Sequence, residues 1–123
     1  MTASKYFMDS SAWLGYFFAD KDVKDIVEGE TTKMTSVISI FEVKRRLLRD
    51  KYTEEEIAEL LEFITLNSLI VDLNENISEK AANISVKHKL PAIDALIYTS
   101  ALHYGALLVT GDPDFEKLDI CMI

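Results

Sequence analysis

Five carboxylates carry the chemistry this sequence could perform: Asp9, Glu42, Asp94, Asp112 and Asp114. Asp9 follows the apolar run Tyr6-Phe7-Met8, and Asp112 and Asp114 follow the run from Ala106 to Thr110. Glu42 and Asp94 lie within stretches of helical periodicity. Asp94 is the least ordinary of the five. On a helical wheel its neighbours are Pro91, Ile97, Tyr98, Ala101 and Leu102, with Thr99, Ser100 and His103 on the far side. A helix dipole in the first turn helps such a carboxylate by typically less than about 1 kcal/mol. That does not offset an unpaired buried charge, so Asp94 needs a partner, and a metal ion is one candidate. If folding gathers the five acids, each pair at about 4 Å repels by roughly 1 kcal/mol in water and several times that at a protein-like dielectric. Acids must then protonate, or cations must neutralise them. Oxygen-only donors, with no His or Cys among them, select Mg2+ or Mn2+. Such ions hold a phosphate, lower the pKa of a bound water and stabilise in-line displacement at phosphorus.

Each acid also has an ordinary role. Asp9 fits an N-cap for the helix after it, and Asp112 an Asx-turn before Pro113. Glu42 closes an apparent capping box, Ser39-Ile40-Phe41-Glu42, and shares a helix face with Arg45, Arg46 and Arg49. Ion pairs along that face would be worth a few tenths of a kcal/mol each. Ile40, Phe41, Val43, Leu47 and Leu48 make up the opposite, core-seeking face.

The elements that must position these residues read as follows. Lys5 to Met8 is a short buried strand ending at Asp9, and Ser11 to Phe18 an aromatic-rich helix. Asp20 to Thr32 is polar and contains Gly29, so it reads mostly as loop or a short helix. Lys33 to Val37 is a second strand, and the helix opened by Ser39 runs to about Asp50. Thr53-Glu54-Glu55-Glu56 repeats the capping pattern ahead of Ile57, Leu60, Leu61 and Ile64 at helical spacing. Leu69 to Val71 is a third strand and Ser78 to Lys89 a helix. Pro91 fits the first turn of a helix that runs to Tyr104 and stops at Gly105. Ala106 to Thr110 is a continuous apolar strand, Gly111 to Asp114 a turn, and Ile120 to Ile123 a last strand. Short apolar strands alternating with helices predict an α/β three-layer sandwich, a mainly parallel sheet flanked by helices. In such sheets functional groups collect at the carboxyl ends of the strands, where Asp9, Asp112 and Asp114 fall.

A chain of 123 residues has room for one domain, 1–123. With 49% hydrophobic and 28% charged residues it has the composition of a globular protein, which excludes a disordered or collagenous chain. One cysteine, Cys121, and two histidines, His88 and His103, rule out an internal disulfide and argue against structural zinc. The apolar runs fall short of the roughly 20 residues of a membrane span. Met1 to Lys5 shows no secretory pattern, so a cytoplasmic location is expected. The formal net charge of −8 argues, alone, against a nucleic-acid partner. The acid set itself accounts for part of that charge, and Glu54, Glu55, Glu56, Glu59 and Glu62 concentrate more of it on one helix. Lys44, Arg45, Arg46, Arg49 and Lys51 form a basic run. Its three arginines share the Glu42 face and would receive phosphates beside the acid site. The alternatives are surface pairing with Glu42 and Asp50, or a partner's acids docking there. Trp13, Tyr16, Phe17 and Phe18 read as core or interface rather than as a base-stacking platform.

Four stretches, Tyr6 to Ala12, Ser39 to Val43, Leu90 to Ile97 and Leu107 to Phe115, together resemble the PIN domain. Within that family they look most like the small VapC-type toxin ribonucleases of prokaryotic toxin–antitoxin systems. The resemblance covers essentially the whole chain. It implies a PIN-like fold and an Mg2+- or Mn2+-dependent endoribonuclease. It implies Asp9, Glu42, Asp94 and Asp112 as metal-binding catalytic acids, Asp114 as an auxiliary acid, and Ser11 and Thr110 as polar site residues. It also implies a homodimer and a cognate antitoxin that holds the enzyme inactive. The rival reading is a catalytically silent module of the same fold that binds RNA or protein. Other folds of this size fail on particular residues. A receiver domain needs a lysine where Gly111-Asp112 stands, and a haloacid-dehalogenase-type phosphatase needs an aspartate where Ser11 stands. A dinucleotide-binding module needs a glycine-rich turn where Ser10-Ser11-Ala12-Trp13 stands.

Overall fold

The computed structural model describes residues 4–123. Along them run β1 (Lys5–Met8), α1 (Ser10–Phe17), α2 (Lys21–Glu28), β2 (Thr32–Ser36), α3 (Val37–Arg49) and α4 (Glu54–Asn67). There follow β3 (Leu69–Val71), α5 (Glu75–His88), α6 (Ala92–His103), β4 (Leu107–Thr110), a 3-10 turn at Pro113–Phe115 and β5 (Cys121–Met122). Side chains alternate across the central strands, and both faces are apolar. Tyr6, Met8 and Val109 join one core with Trp13, Val27, Leu47 and Ile64 from α1 to α4. Phe7 and Leu108 join the other with Ala81, Ala95, Ala101 and Phe115, under α5 and α6. Burying one large apolar side chain is worth about 1.5–3 kcal/mol, so each face of the sheet needs its helical layer. The three-layer α/β sandwich is the result.

The strand order is β3-β2-β1-β4-β5, and every pairing is parallel. The chain fills one side of β1 with β2 and β3, then crosses to the other side with β4 and β5. That reversal lies between β1 and β4, where Met8 pairs with Val109. The crevice beyond the carboxyl ends of strands at such a switch point is where α/β sheets bind ligands. Gly105, in the left-handed conformation at φ 63°, turns α6 back into β4. The helix therefore runs antiparallel to the strand. Its first turn, carrying Asp94, comes to lie over the same carboxyl edge.

Several local expectations are corrected. The helix after β2 starts at Val37, with Ser36 in extended conformation as N-cap and its Oγ accepting from the Ile38 amide at 3.1 Å. Ser39 is the third residue of α3, fully buried, with no hydrogen-bond partner for its Oγ, so Ser39 to Glu42 is not a capping box. Two serines three residues apart can each cap, and the chain uses the one that ends the strand. Of the two readings of Asp20 to Thr32, the short helix is the one found: a two-turn helix capped by Asp20 and anchored by buried Val23 and Val27. The helix expected from Ser78 starts at Glu75, because Asn74 caps it through the Ile77 amide. Phe41 and Leu48, assigned to the core face of α3, are 65% and 53% exposed. Thr99 and Ser100, assigned to the outer face of α6, are buried, because α6 is covered on most sides. Strand β3 is an edge strand with Leu69 and Ile70 exposed. The caps at Asp9 and Thr53 are as read, the latter a full capping box with Glu56. The segment Met1 to Ala3, part of the N-terminal reading, lies outside the described residues. Among the described residues no helix is long and apolar enough to cross a membrane.

Candidate metal centre

Strand β1 ends at Asp9, whose amide donates to the Val109 carbonyl at 3.3 Å and so extends the pairing with β4 by one step. Asp9 then leaves the strand as the N-cap of α1, its Oδ1 accepting from the Ala12 amide at 2.9 Å. Ser11 Oγ donates to the same oxygen at 2.6 Å and accepts from the Gly111 amide at 2.9 Å. It also lies 3.4 Å from Thr110 Oγ1, which accepts the Asp112 amide at 3.0 Å. Asp112 Oδ1 closes an Asx-turn on the Asp114 amide at 2.9 Å. The two hydroxyls thus lock the loop after β4 to the start of α1. Asp9 and Asp112 use their ordinary capping and turn roles to hold their places at the rim.

The turn at Asp112 to Asp114 meets the first turn of α6. Asp94, Asp112 and Asp114 each offer one carboxylate oxygen, all within 4.8 Å of one another. Asp9 and Glu42 are not members of this tight group, yet each feels the charge of Asp112. Burial raises the pKa of Asp9 most; hydrogen bonds from Ser11, Thr110 and the Ala12 amide pull it down, and Asp112 pushes it up again. Glu42 is raised by burial and by the charges of Asp9 and Asp112, against lowering by Ser10 and Arg45. Asp94 is pushed up to about 7, first by burial and then by Asp112, Asp114 and Glu42. Among the described residues no cationic side chain forms an ion pair with Asp94, Asp112 or Asp114. Clustered carboxylates without a basic counterpart, offering oxygen alone, fit a hard divalent cation.

This arrangement fixes a pH dependence. A carboxyl with a raised folded-state pKa keeps a proton that the unfolded chain would release. Its contribution to stability is complete below the unfolded value, near 3.8, and is lost as pH rises through about 7. Asp94 is partly exposed, so solvent screening trims the effect, and a loss of about 1–2 kcal/mol is expected. Thermal melts in EDTA from about pH 5 to about pH 8 should show a falling Tm; a flat or rising one contradicts the cluster.

Among the arginines, Arg46 Nε pairs with Asp50 Oδ2 at 2.9 Å, and its guanidinium lies 5.9 Å from the Phe18 ring centroid. That is the surface-pairing reading, realised for one residue. Arg45, Arg46 and Arg49 line a cleft with Ser10, Leu14 and Glu42, so the basic stripe lies beside Glu42. Among the aromatics, Trp13 is fully buried and Tyr16 stacks on Phe63, as a core role requires.

Two supporting residues went unread in the sequence. Ser10 Oγ donates to Glu42 Oε1 at 3.2 Å. Thr35, fully buried, donates to the Met8 carbonyl at 2.7 Å and accepts from Trp13 Nε1 at 3.3 Å, which ties β2 and α1 to the end of β1. The available signal was the polar pair Thr35-Ser36 at the carboxyl end of β2.

Comparison with known proteins agrees with this fold. A sequence model of the PIN domain matches residues 6–120. No curated protein matches the chain by sequence. Solved structures share its fold. VapBC2 from Rickettsia felis bound to a DNA fragment from its promoter superposes with TM-score 0.79 at 16% identity, covering 97% of each chain. Mycobacterium tuberculosis VapC20, described as a sarcin-ricin loop cleaving toxin, gives 0.75 at 18%, covering 96% of this chain and 98% of that one. A toxin–antitoxin complex from Klebsiella pneumoniae gives 0.75 at 20%, covering 92% of each. At these identities the likeness is one of fold.

Proposed function

We propose a function from one premise, that the chain belongs to the PIN domain family, whose model spans residues 6–120. It is a divalent-metal-dependent endoribonuclease, the toxin of a toxin–antitoxin pair. It forms one nuclease domain over 1–123, works in the cytoplasm as a homodimer, and is held inactive by a cognate antitoxin. The observation that carries this reading is the group Asp94, Asp112 and Asp114 with oxygens within 4.8 Å of one another, at the switch point of a parallel sheet. The fold shared with toxin–antitoxin complexes, and with a neighbour described as cleaving the sarcin-ricin loop, supports RNA as substrate.

Asp94, Asp112 and Asp114 would hold Mg2+ or Mn2+, with Asp9 and Glu42 completing the negative field on its flank. Bound there, the cation supplies Lewis acidity toward water and phosphate. Ser11 and Thr110 fix Asp9 and Asp112 before substrate arrives, so that little reorganisation is needed at the moment of reaction. Arg45 and Arg49, with Arg46 beside them, take phosphates of the bound strand. No side chain serves as nucleophile.

The test uses the purified chain and a labelled single-stranded RNA. Cleavage is expected with Mg2+ or Mn2+ and none in EDTA. Mn2+ alone should raise Tm, by the equivalent of about 2.7 kcal/mol at a hundredfold excess over its Kd. Absence of both cleavage and any Mn2+-induced shift would leave the silent binding module as the reading.

A further inference from the structure

Glu42 has two kinds of partner within reach. Arg45 and Arg46 stand three and four residues further along α3, the spacing at which a carboxylate and a guanidinium pair on one helix face. Yet the ion pair found among the described residues is Arg46 with Asp50. Glu42 Oε1 instead accepts from Ser10 Oγ at 3.2 Å, a residue 32 positions away at the start of α1. Ser10, Leu14, Glu42, Arg45, Arg46 and Arg49 line a single cleft. Within it Arg46 is already held by Asp50 and Phe18.

We propose that Ser10 is a positioning residue that holds the Glu42 carboxylate against the start of α1 and so keeps it from forming a direct ion pair with Arg45. The inference rests on the reading that these arginines receive RNA phosphates. Without the Ser10 hydroxyl, Glu42 loses its hydrogen-bond donor and turns to the next one along its helix, Arg45. The Ser10 hydroxyl therefore decides whether Arg45 is paired within its own helix or remains available to a phosphate. A threonine at position 10 keeps the hydroxyl; an alanine or a valine does not.

Two measurements separate this inference from the reading beneath it. With no RNA present, 15N NMR reads the arginine Nε–H signals, and the Arg45 signal should move in Ser10→Ala and Ser10→Val but not in Ser10→Thr. Binding of labelled single-stranded RNA in EDTA, read by anisotropy, should weaken about three- to tenfold in Ser10→Ala, the range one hydrogen bond commands. Ser10→Thr should match wild type in both measurements. In a Glu42→Ala background the effect of Ser10→Ala on RNA affinity should vanish, because no carboxylate remains to turn. An unmoved Arg45 signal overturns the positioning role, as does an equal loss of affinity in the Glu42→Ala background. A shifted Arg45 signal with wild-type protein that binds no RNA would uphold the positioning and overturn the phosphate role.

Discussion

Asp94→Asn is expected to reduce RNA cleavage by about a thousandfold or more while making the metal-free protein more stable. The two effects share one cause. Asp94 lies among Asp112, Asp114 and Glu42, with burial added, and its carboxyl is pushed up to about 7. Asparagine keeps the size and the place in the first turn of α6 but carries no charge. Like-charge repulsion at the rim then falls, and the metal-free Tm at about pH 8 should rise by roughly 3–5 °C for about 1 kcal/mol. The falling stability between about pH 5 and about pH 8 should also flatten, since its main titrating group is gone. Catalysis moves the other way. A hard cation held by these oxygens contributes several kcal/mol of charge stabilisation in the transition state, and about 4 kcal/mol corresponds to roughly a thousandfold. A residue needed only for folding would lose stability along with activity. An Asp94→Asn protein that cleaves at the wild-type rate would remove the basis for placing a metal at this rim.

What the sequence reveals of this site depends on how local each cause is. Asp9 after Met8, Thr53 before Glu56 and Asp112 before Asp114 are short-range patterns, and the structure contains each as a cap or turn. Strand and helix alternation likewise specifies the parallel sandwich, because apolar strands without polar alternation need two covered faces. The serines of the β2–α3 junction are ambiguous for a physical reason. Ser36 and Ser39 are both competent caps, and the length of β2 decides between them. Asp94 could be recognised as misplaced in an apolar stripe, but the wheel could not say which way it faces. Helix α6 is buried over most of its circumference, so it has no single apolar side. Its approach to Asp112 follows from running antiparallel to β4, which is tertiary information. Ser10 and Glu42 meet across 32 residues, and a hydroxyl at the first position of a helix has no pattern that names a distant acceptor.

The second large effect is expected from the double variant Arg45→Glu, Arg49→Glu, whose RNA affinity should fall by about a hundredfold. A protein of net charge −8 repels RNA at long range, so binding has to rest on a local concentration of positive charge. The cleft beside Glu42 offers that concentration, and Arg46 is partly compensated there by Asp50. If Arg45 and Arg49 each neutralise one phosphate of a single strand, removing both should lower the slope of log affinity against log salt by about 1.4. Folding should change little. Both side chains are exposed, and the main structural cost is a negative charge in the last turn of α3, where Arg49 now complements the helix dipole at about 0.3–1 kcal/mol. Mn2+-induced stabilisation should persist, because the ligating group Asp94, Asp112 and Asp114 is untouched. That separation of RNA affinity from metal affinity is the informative outcome. Unchanged cleavage with an unchanged salt slope would instead assign the basic face, with exposed Phe41 and Leu48 beside it, to a partner's acids.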